Sequence, residues 1–525
     1  MAAQARARLA SAMHPRDFSL DTLLANCAQR YAHRLATVDG TQRLTWAELD
    51  ARVTNLARWM LARGIAPGDR IALLLTDGAP FLTILLASAR IGAIAVLLNW
   101  RLAPAELAWI CGNSEPAMTF ANPRFAALLE GAAAGELHMV DERHAADGFF
   151  ETAATTPHGP VPHPYDLGLD LAPDRPLYMM YTSGTTGRPK GCLQAGSAVA
   201  ASALGFAQHR RFTAGEVLLS VNPLFHVVGM QQVAAMLACG GTSVFAGRDD
   251  DSAAILDLLH REACTTTSAF PTISFPWQAM NPVREGRMPL TNYTGGAGMG
   301  RPQMYEFIEK DWDARVVGGY GQTEICGFAT FIDYPDMLKA PRSIGWTLPH
   351  VTMTVLDPEG NHLPPGEEGE LALRGPSVML GYWRNPEASE AALGHGWLRT
   401  GDLGTMDDRG RGYLLGRAKE LIKTGGENVY PAEVDAIFAA MPEVADAGCC
   451  GVPDKQWGEA VKAFVVLKPG MTLTPEEITA RFKDRIAGYK RPRYIEFVDS
   501  LPRDPIGKLL RRELSARPVT PDQAA

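Results

Sequence analysis

Tyr181-Thr182-Ser183-Gly184-Thr185-Thr186-Gly187-Arg188-Pro189-Lys190-Gly191 comes directly after the apolar run Leu177 to Met180. The run reads as a buried strand, and the segment after it as a loop made to approach an anion. Gly184, Gly187 and Gly191 let the backbone come close. Thr182, Ser183, Thr185 and Thr186 offer hydroxyl donors, and Lys190 adds a positive charge. The combination suits a triphosphate. It is not a Walker A loop, which needs Ser or Thr after its Gly-Lys; Gly507-Lys508 is followed by Leu509. A flexible Gly/Ser/Thr linker would match the composition of the loop but not the apolar strand leading into it.

Outward from this loop, helices and apolar strands alternate. Thr45-Trp-Ala-Glu48 is a capping-box pattern, and Leu49, Val53, Leu56 and Met60 then recur at helical spacing up to Gly64. Ile71 to Leu75 and Ile94 to Leu98 read as buried strands on either side of a helix from Phe81 to Arg90. This predicts layered α/β architecture. From Val355 to Leu373, turns at Asp357-Pro-Glu-Gly360 and Pro364-Pro-Gly-Glu-Glu-Gly369 separate short strands, predicting a small β subdomain. Past Arg417, helices are predicted at Pro431 to Ala440 and Pro475 to Ile486 around a strand Ala463 to Leu467. That is a compact α+β unit.

At 525 residues the chain has room for about three domain-sized units. A net charge of -8 and a pI near 5.9 supply no basic field for nucleic acid. No apolar run approaches the roughly 20 residues that span a bilayer. Eight cysteines lie without metal or redox spacing, as expected of reduced thiols in a cytoplasmic protein. Arg6, Arg8 and Arg16 lie near the N-terminus with no acid among them; we read a frayed end rather than a targeting segment. Nothing in the sequence fixes an oligomeric state, and a homo-oligomer is left open.

Further motifs succeed the loop in order: Asn222-Pro-Leu-Phe-His226-Val-Val-Gly229, Gly295-Gly-Ala297, Tyr320-Gly-Gln-Thr323-Glu324, Trp397-Leu-Arg-Thr-Gly-Asp402, Gly416-Arg417-Ala-Lys419-Glu-Leu-Ile-Lys423, and Gly507-Lys508. Together they resemble the adenylate-forming superfamily of acyl-CoA synthetases, peptide-synthetase adenylation domains and luciferases, over nearly the whole chain. The resemblance implies a large N-terminal adenylation domain (1–417), a hinge (418–420) and a small mobile C-terminal α+β domain (421–525). It also implies ATP, Mg2+ and coenzyme A as reactants or cofactor.

The resemblance assigns roles position by position. Thr182, Ser183, Gly184, Thr185, Thr186, Gly187 and Lys190 would hold the β- and γ-phosphates. Glu324 would ligate Mg2+, and Thr323 would touch the α-phosphate. Tyr320 would stack on adenine beside Gly296, Ala297 and Gly321. Asp402 and Arg417 would take the ribose hydroxyls. Taken alone, Asp402 reads equally well as a turn cap and Arg417 as a surface ion pair. Lys508 would bridge the substrate carboxylate and the α-phosphate, in Ile-Gly-Lys rather than the usual Thr-Gly-Lys. Lys419 would be the hinge. Lys423, Gly425, Gly426, Trp457 and Lys490, within Tyr489-Lys490-Arg491, would face coenzyme A, although packing and ordinary surface charge explain Trp457 and Lys490 as well. His226, Val228, Gly229, Met230, Gln231, Gly298 and Met299 would border the acyl pocket, His226 without proton transfer. The Thr-His pair common after such loops is absent from Cys192-Leu-Gln-Ala-Gly-Ser197.

Ser220 to Cys239 contains no acidic residue to pair an amino acid's ammonium and no Lys or Arg to pair a second carboxylate. An acid with an uncharged tail is expected, aryl or short-to-medium aliphatic. Two other readings are a stand-alone enzyme loading a carrier-protein thiol and a non-catalytic ATP-binding protein.

Overall fold

The computed structural model describes residues 18–141, 149–156, 174–182, 188–269, 271–280, 288–297, 302–340, 342–424, 427–483, 485–503, 507 and 509–519. The chain divides into two compact units, Met1–Met353 with Leu373–Leu398, and Thr354–Ala372 with Arg399–Ala525.

The first unit carries one sheet in the order Gly381–Tyr382, Lys190–Ala195, Pro176–Thr182, Ile94–Leu97, Arg70–Leu74, Met118–Ala121, Glu136–Met139. The run from Pro176–Thr182 to Glu136–Met139 is parallel, whereas Lys190–Ala195 pairs antiparallel on both of its sides. The helix Trp46–Ala62 starts as the sequence predicts. Glu48 N–H donates to Thr45 Oγ1 at 3.3 Å and Thr45 N–H to Glu48 Oε2 at 2.8 Å, satisfying two end donors reciprocally. Its stripe Leu49, Val53, Leu56 and Met60 is fully buried. The next helix, Ala79–Ile91, is buried on every side. This explains its largely apolar composition. Its one charge, Arg90, lies within 2.7 Å of both Asp21 and Asp50, tying three helices with a buried ion triad.

The unit's other sheet runs Ser343–Thr347, Gly327–Asp333, Arg315–Gln322, Asn292–Gly296, Thr266–Thr267, Val217–Ser220, Thr242–Phe245, Leu35–Asp39, Gln42–Thr45. Its middle is parallel and its ends antiparallel. The helices Gly196–Arg210 and Val227–Cys239 pack in the core shared with the first sheet.

In the second unit, Leu398–Met406 pairs antiparallel with Gly412–Arg417. A further sheet of Glu427–Val429, Ile422–Thr424, Gly458–Leu467 and Val444–Asp454, with Tyr494–Phe497 parallel to Gly458–Leu467, carries the helices Pro431–Ala439 and Pro475–Phe482. The second helix is shorter than its apolar spacing predicts. Lys483 turns extended (φ -60°, ψ 136°), so Ile486 reaches the core from beyond the helix end. Every cysteine is a free thiol, and only Cys239 is partly exposed. Among the described residues, no helix is long and apolar enough to cross a membrane.

Candidate active site

The predicted phosphate loop is the connection of a hairpin. Pro176–Thr182 and Lys190–Ala195 pair antiparallel, with Thr182 opposite Lys190. Ser183, Gly184, Thr185, Thr186 and Gly187 lie outside the described residues, but their two anchors are fixed side by side. Lys190 Nζ sits 4.9 Å from the centroid of the Tyr382 ring.

Tyr382 also donates its hydroxyl to Glu324 Oε1 at 2.8 Å. One phenol therefore carries the loop cation on its face and the expected metal carboxylate at its tip. Glu324 sits in a 3-10 turn, Thr323–Ile325, whose backbone is held by neighbours. Met379 N–H donates to Glu324 O at 2.9 Å, and Gln194 Nε2 donates to Thr323 O at 2.5 Å. Glu324 and Thr323 are partly exposed. A single mounted carboxylate suits Mg2+, which keeps most of its waters and takes its remaining oxygens from phosphate. Among the described residues no cluster of three or more His, Cys, Asp or Glu could hold a metal by itself.

The expected adenine wall is built from two adjacent parallel strands, with Gly296 directly opposite Gly319 and Ala297 N–H donating to Gly319 O at 2.9 Å. Tyr320 follows immediately and is buried. Gly321 has a backbone reason to be glycine: a Cβ there would lie 1.9 Å from Gly327 O, across the hairpin that ends in the Thr323 turn. Beside it, Gln322 Nε2 is buried without a hydrogen-bond partner, an unspent donor in the wall expected to meet a nucleotide. Gly298 and Met299 lie outside the described residues.

At the gate, His226 caps the helix Val227–Cys239 and accepts from Val228 N–H at 3.4 Å. Val228 packs at the edge of the core, and Met230 is fully inside it. Gly229 is where the helix meets its own approach loop, since a Cβ would lie 2.5 Å from both Asn222 O and Pro223 O. Gln231, expected to border the pocket, is instead committed to buried partners: Nε2 donates to Ser202 Oγ at 2.8 Å and Oε1 accepts from Phe328 N–H at 2.9 Å.

In the second unit, Asp402 and Arg417 are cross-strand partners joined at 2.7 Å. Arg417 opens directly into the short turn Ala418–Glu420 that contains Lys419. Lys423 is exposed on the strand Ile422–Thr424. Lys490 is neutralised by Glu433 at 2.7 Å, and the cation over Trp457 is Arg493, at 4.4 Å. Gly425, Gly426 and Lys508 lie outside the described residues. Next to Lys508, Gly507 has φ +86°, which explains a glycine there, and its carbonyl accepts from Arg503 at 2.7 Å. An antiparallel bridge between Arg503 and Leu509 closes that loop.

Residues 24–383 match the family model of the AMP-binding enzymes, and residues 433–508 that of the AMP-binding enzyme C-terminal domain. The chain belongs to the AMP-binding enzyme family. It is 33% identical to the indoleacetate–CoA ligase of Aromatoleum aromaticum, covering 91% of this chain and 95% of that protein. It is also 33% identical to the feruloyl-CoA synthase of an Amycolatopsis species, covering 93% and 97%. Its fold matches the o-succinylbenzoate CoA synthetase of Bacillus subtilis, solved with its acyl-adenylate, at a TM-score of 0.82 and 29% identity over 95% of this chain and 98% of that one. The same synthetase, solved with ATP and magnesium, matches at 0.82 and 29% over 94% and 98%. The protein is an AMP-forming acyl-CoA ligase with the mixed α/β fold of the adenylate-forming enzymes.

Three residues of this AMP-binding enzyme went unnoticed in the sequence. Tyr382 had a signal, an aromatic pair after Gly381 in a polar stretch, but no spacing that ties it to Glu324. Gln194 sits where the absent Thr-His pair drew attention to a loss rather than to a replacement. Arg493 lies two positions past the basic cluster that drew the eye.

Proposed function

We propose that this ligase activates a carboxylic acid with an uncharged tail, aryl or short-to-medium aliphatic, and transfers it to coenzyme A. The observation that carries the reading is the mounting of Lys190 and Glu324 on Tyr382, together with the absence of Asp, Glu, Lys and Arg from Ser220 to Cys239. A carboxylate oxygen of the acid attacks the α-phosphorus of ATP, and pyrophosphate leaves. The obstacle is anion meeting anion, so catalysis consists of positioning and charge neutralisation. Thr182, Lys190 and the loop between them hold the outer phosphates, Thr323 the α-phosphate, and Lys508 both reacting anions. Tyr320, Gly296, Ala297 and Gly321 take adenine, and Asp402 and Arg417 the ribose. Mg2+, when bound at Glu324, supplies further neutralisation of the phosphates. The thiol sulfur of coenzyme A then attacks the acyl carbonyl carbon and AMP leaves.

Residues 1–417 form the adenylation domain in this reading, and 421–525 turn about Lys419 between the two steps. Lys423, Gly425, Gly426, Trp457 and Arg493 receive coenzyme A, with Lys490 holding the surface through Glu433. Indoleacetate and ferulate, named for two relatives, both carry uncharged aryl tails. Succinylbenzoate carries a second carboxylate, and no cation in Ser220 to Cys239 would pair it. Free, mostly buried thiols fit a cytoplasmic location.

The test is pyrophosphate release across a panel of acids, with and without coenzyme A. Aryl and short-to-medium aliphatic acids should turn over with coenzyme A, and amino acids and dicarboxylates poorly. Pyrophosphate release driven by amino acids, or thioester formed on holo-carrier protein but never on free coenzyme A, would overturn the reading.

A further inference from the structure

Behind the Thr323-Glu324 turn lies a continuous set of buried polar side chains that no motif predicts. Gln194 is completely buried on the strand leaving the phosphate loop. Its Nε2 donates to Thr323 O at 2.5 Å, and its Oε1 accepts from Cys326 Sγ at 2.9 Å. One amide thus clasps both ends of the turn that presents Glu324. Cys326 needs the clasp, because it is left-handed (φ 58°, ψ 34°), a conformation that costs a residue with a Cβ about 1–2 kcal/mol.

The set continues on the far side of Cys326. Ser202 Oγ donates to Cys326 O at 2.8 Å, Gln231 Nε2 donates to Ser202 Oγ at 2.8 Å, and Gln231 exchanges hydrogen bonds with the backbone of Phe328 at 2.9 Å and 3.1 Å. Gly327 completes the fit. Its φ is +114°, and a Cβ there would come within 2.6 Å of the Gln231 amide. Gln231 belongs to the helix capped by gate residue His226. The chain of contacts therefore runs from the phosphate strand, across the Glu324 turn, to the helix behind the acyl gate. A fully satisfied buried network of this kind rigidifies what it touches.

We propose that Gln194 and Gln231, linked through Cys326 and Ser202, are positioning residues that hold Thr323 and Glu324 in register with the phosphate hairpin and tie that register to the gate helix. The proposal rests on the reading of Glu324 as the Mg2+ carboxylate. Neither glutamine touches substrate; each acts through the turn. Partners one shell behind a metal carboxylate fix its orientation, and losing them typically costs about 10–100-fold in metal affinity or activity.

The experiment compares wild type with Gln194→Leu, Cys326→Gly and Cys326→Ser. Leucine keeps the volume of Gln194 and removes its hydrogen bonds to Thr323, Cys326 and Cys192. Glycine accepts the left-handed conformation without strain but loses the tether, whereas serine keeps a donor for Gln194. Three quantities are read: the melting temperature of the free enzyme, the equilibrium affinity for ATP with and without Mg2+ by displacement of a fluorescent ATP analogue, and acid-dependent pyrophosphate release. For Gln194→Leu the affinity gained on adding Mg2+ should shrink about tenfold, beyond any loss of metal-free ATP affinity through Thr323, and kcat should fall about 10–100-fold with KM for the acid within about twofold. Cys326→Gly should move the same way with its melting temperature kept or raised, and Cys326→Ser should restore near wild-type values.

An unchanged Mg2+ gain in folded Gln194→Leu, or a loss of ATP affinity equal with and without Mg2+, would overturn the positioning role. If Gln194→Leu fails to fold, the Cys326→Gly and Cys326→Ser pair decides by the same criteria. A wild-type enzyme that releases no pyrophosphate with any acid would sink the proposed function instead, so the two failures are told apart.

Discussion

Arg417 Nε lies 2.7 Å from Asp402 Oδ1, and the two residues face each other across an antiparallel pair of strands. The Asp402 side chain is almost fully buried, whereas the Arg417 side chain is 40% exposed. Asp402 is fixed from its own strand as well. Its N–H donates to Thr400 Oγ1 at 3.1 Å, and that hydroxyl donates to Leu371 O at 2.6 Å. A carboxylate is a suitable acceptor for two vicinal hydroxyls.

Asp402→Asn keeps the shape but weakens the pair and the acceptor, and should raise the Kd for ATP about tenfold. Arg417→Ala should also lower the melting temperature, because it strands a buried charge. Isothermal titration with ATP and a thermal melt separate the effects; unchanged ATP affinity in Asp402→Asn would remove it from the ribose site.

Gly321→Ala places a methyl 1.9 Å from Gly327 O, so the hairpin that ends in Thr323 must open. Loss of soluble protein, or a melting temperature lower by about 5 °C or more with adenylation abolished, is expected. Gly112→Ala meets nothing within 4 Å inside the helix Pro104–Ser114, and should be neutral or stabilising by about 0.5–1 kcal/mol. Differential scanning calorimetry of the two variants checks the contrast.

Burial, with Arg315 and Arg210 close by, lowers the His209 pKa to about 4. The ring stacks on Phe331 at 4.7 Å. The unfolded chain therefore binds a proton that the fold refuses between about pH 6.5 and 4, so stability present above pH 6.5 is lost as pH falls through that window. His209→Phe keeps the stack and removes the titration. Its melting temperature should drop less than that of wild type between pH 7 and 5, by about 3 °C; equal drops would mean that His209 does not contribute.

Lys508→Ala should abolish acyl-AMP formation, which needs the bridging cation, and leave most thioester formation from supplied acyl-AMP. Lys419→Pro, by fixing φ at about -65°, should do the reverse. Single-turnover assays of each half-reaction decide, and equal losses in both steps for either variant would contradict its assigned role.

The parts of this enzyme that were legible in sequence are those governed by local rules. The capping box at Thr45 and Glu48, the buried stripe of the helix it starts and the strand before the phosphate loop depend on neighbours in the chain, and all formed as the pattern requires. The glycine at 321 was legible as a motif letter, but its cause, a carbonyl across a hairpin, was not. Tyr382 and Gln194 were invisible for the same reason: each acts on the Thr323-Glu324 turn from a strand distant in sequence, and hydrogen bonds of that kind leave no periodicity. The partners of Gln231, Ser202 and Phe328, were likewise not legible, because both are distant in sequence.

In the proposed mechanism the acid's own oxygen attacks the α-phosphorus of ATP. An acid carrying 18O in both carboxylate oxygens, turned over with ATP and coenzyme A, tests it by mass spectrometry of the products. One 18O is expected in AMP and one in the acyl-CoA carbonyl, with pyrophosphate unlabelled. AMP without label, or 18O found in inorganic phosphate alongside ADP, would contradict it.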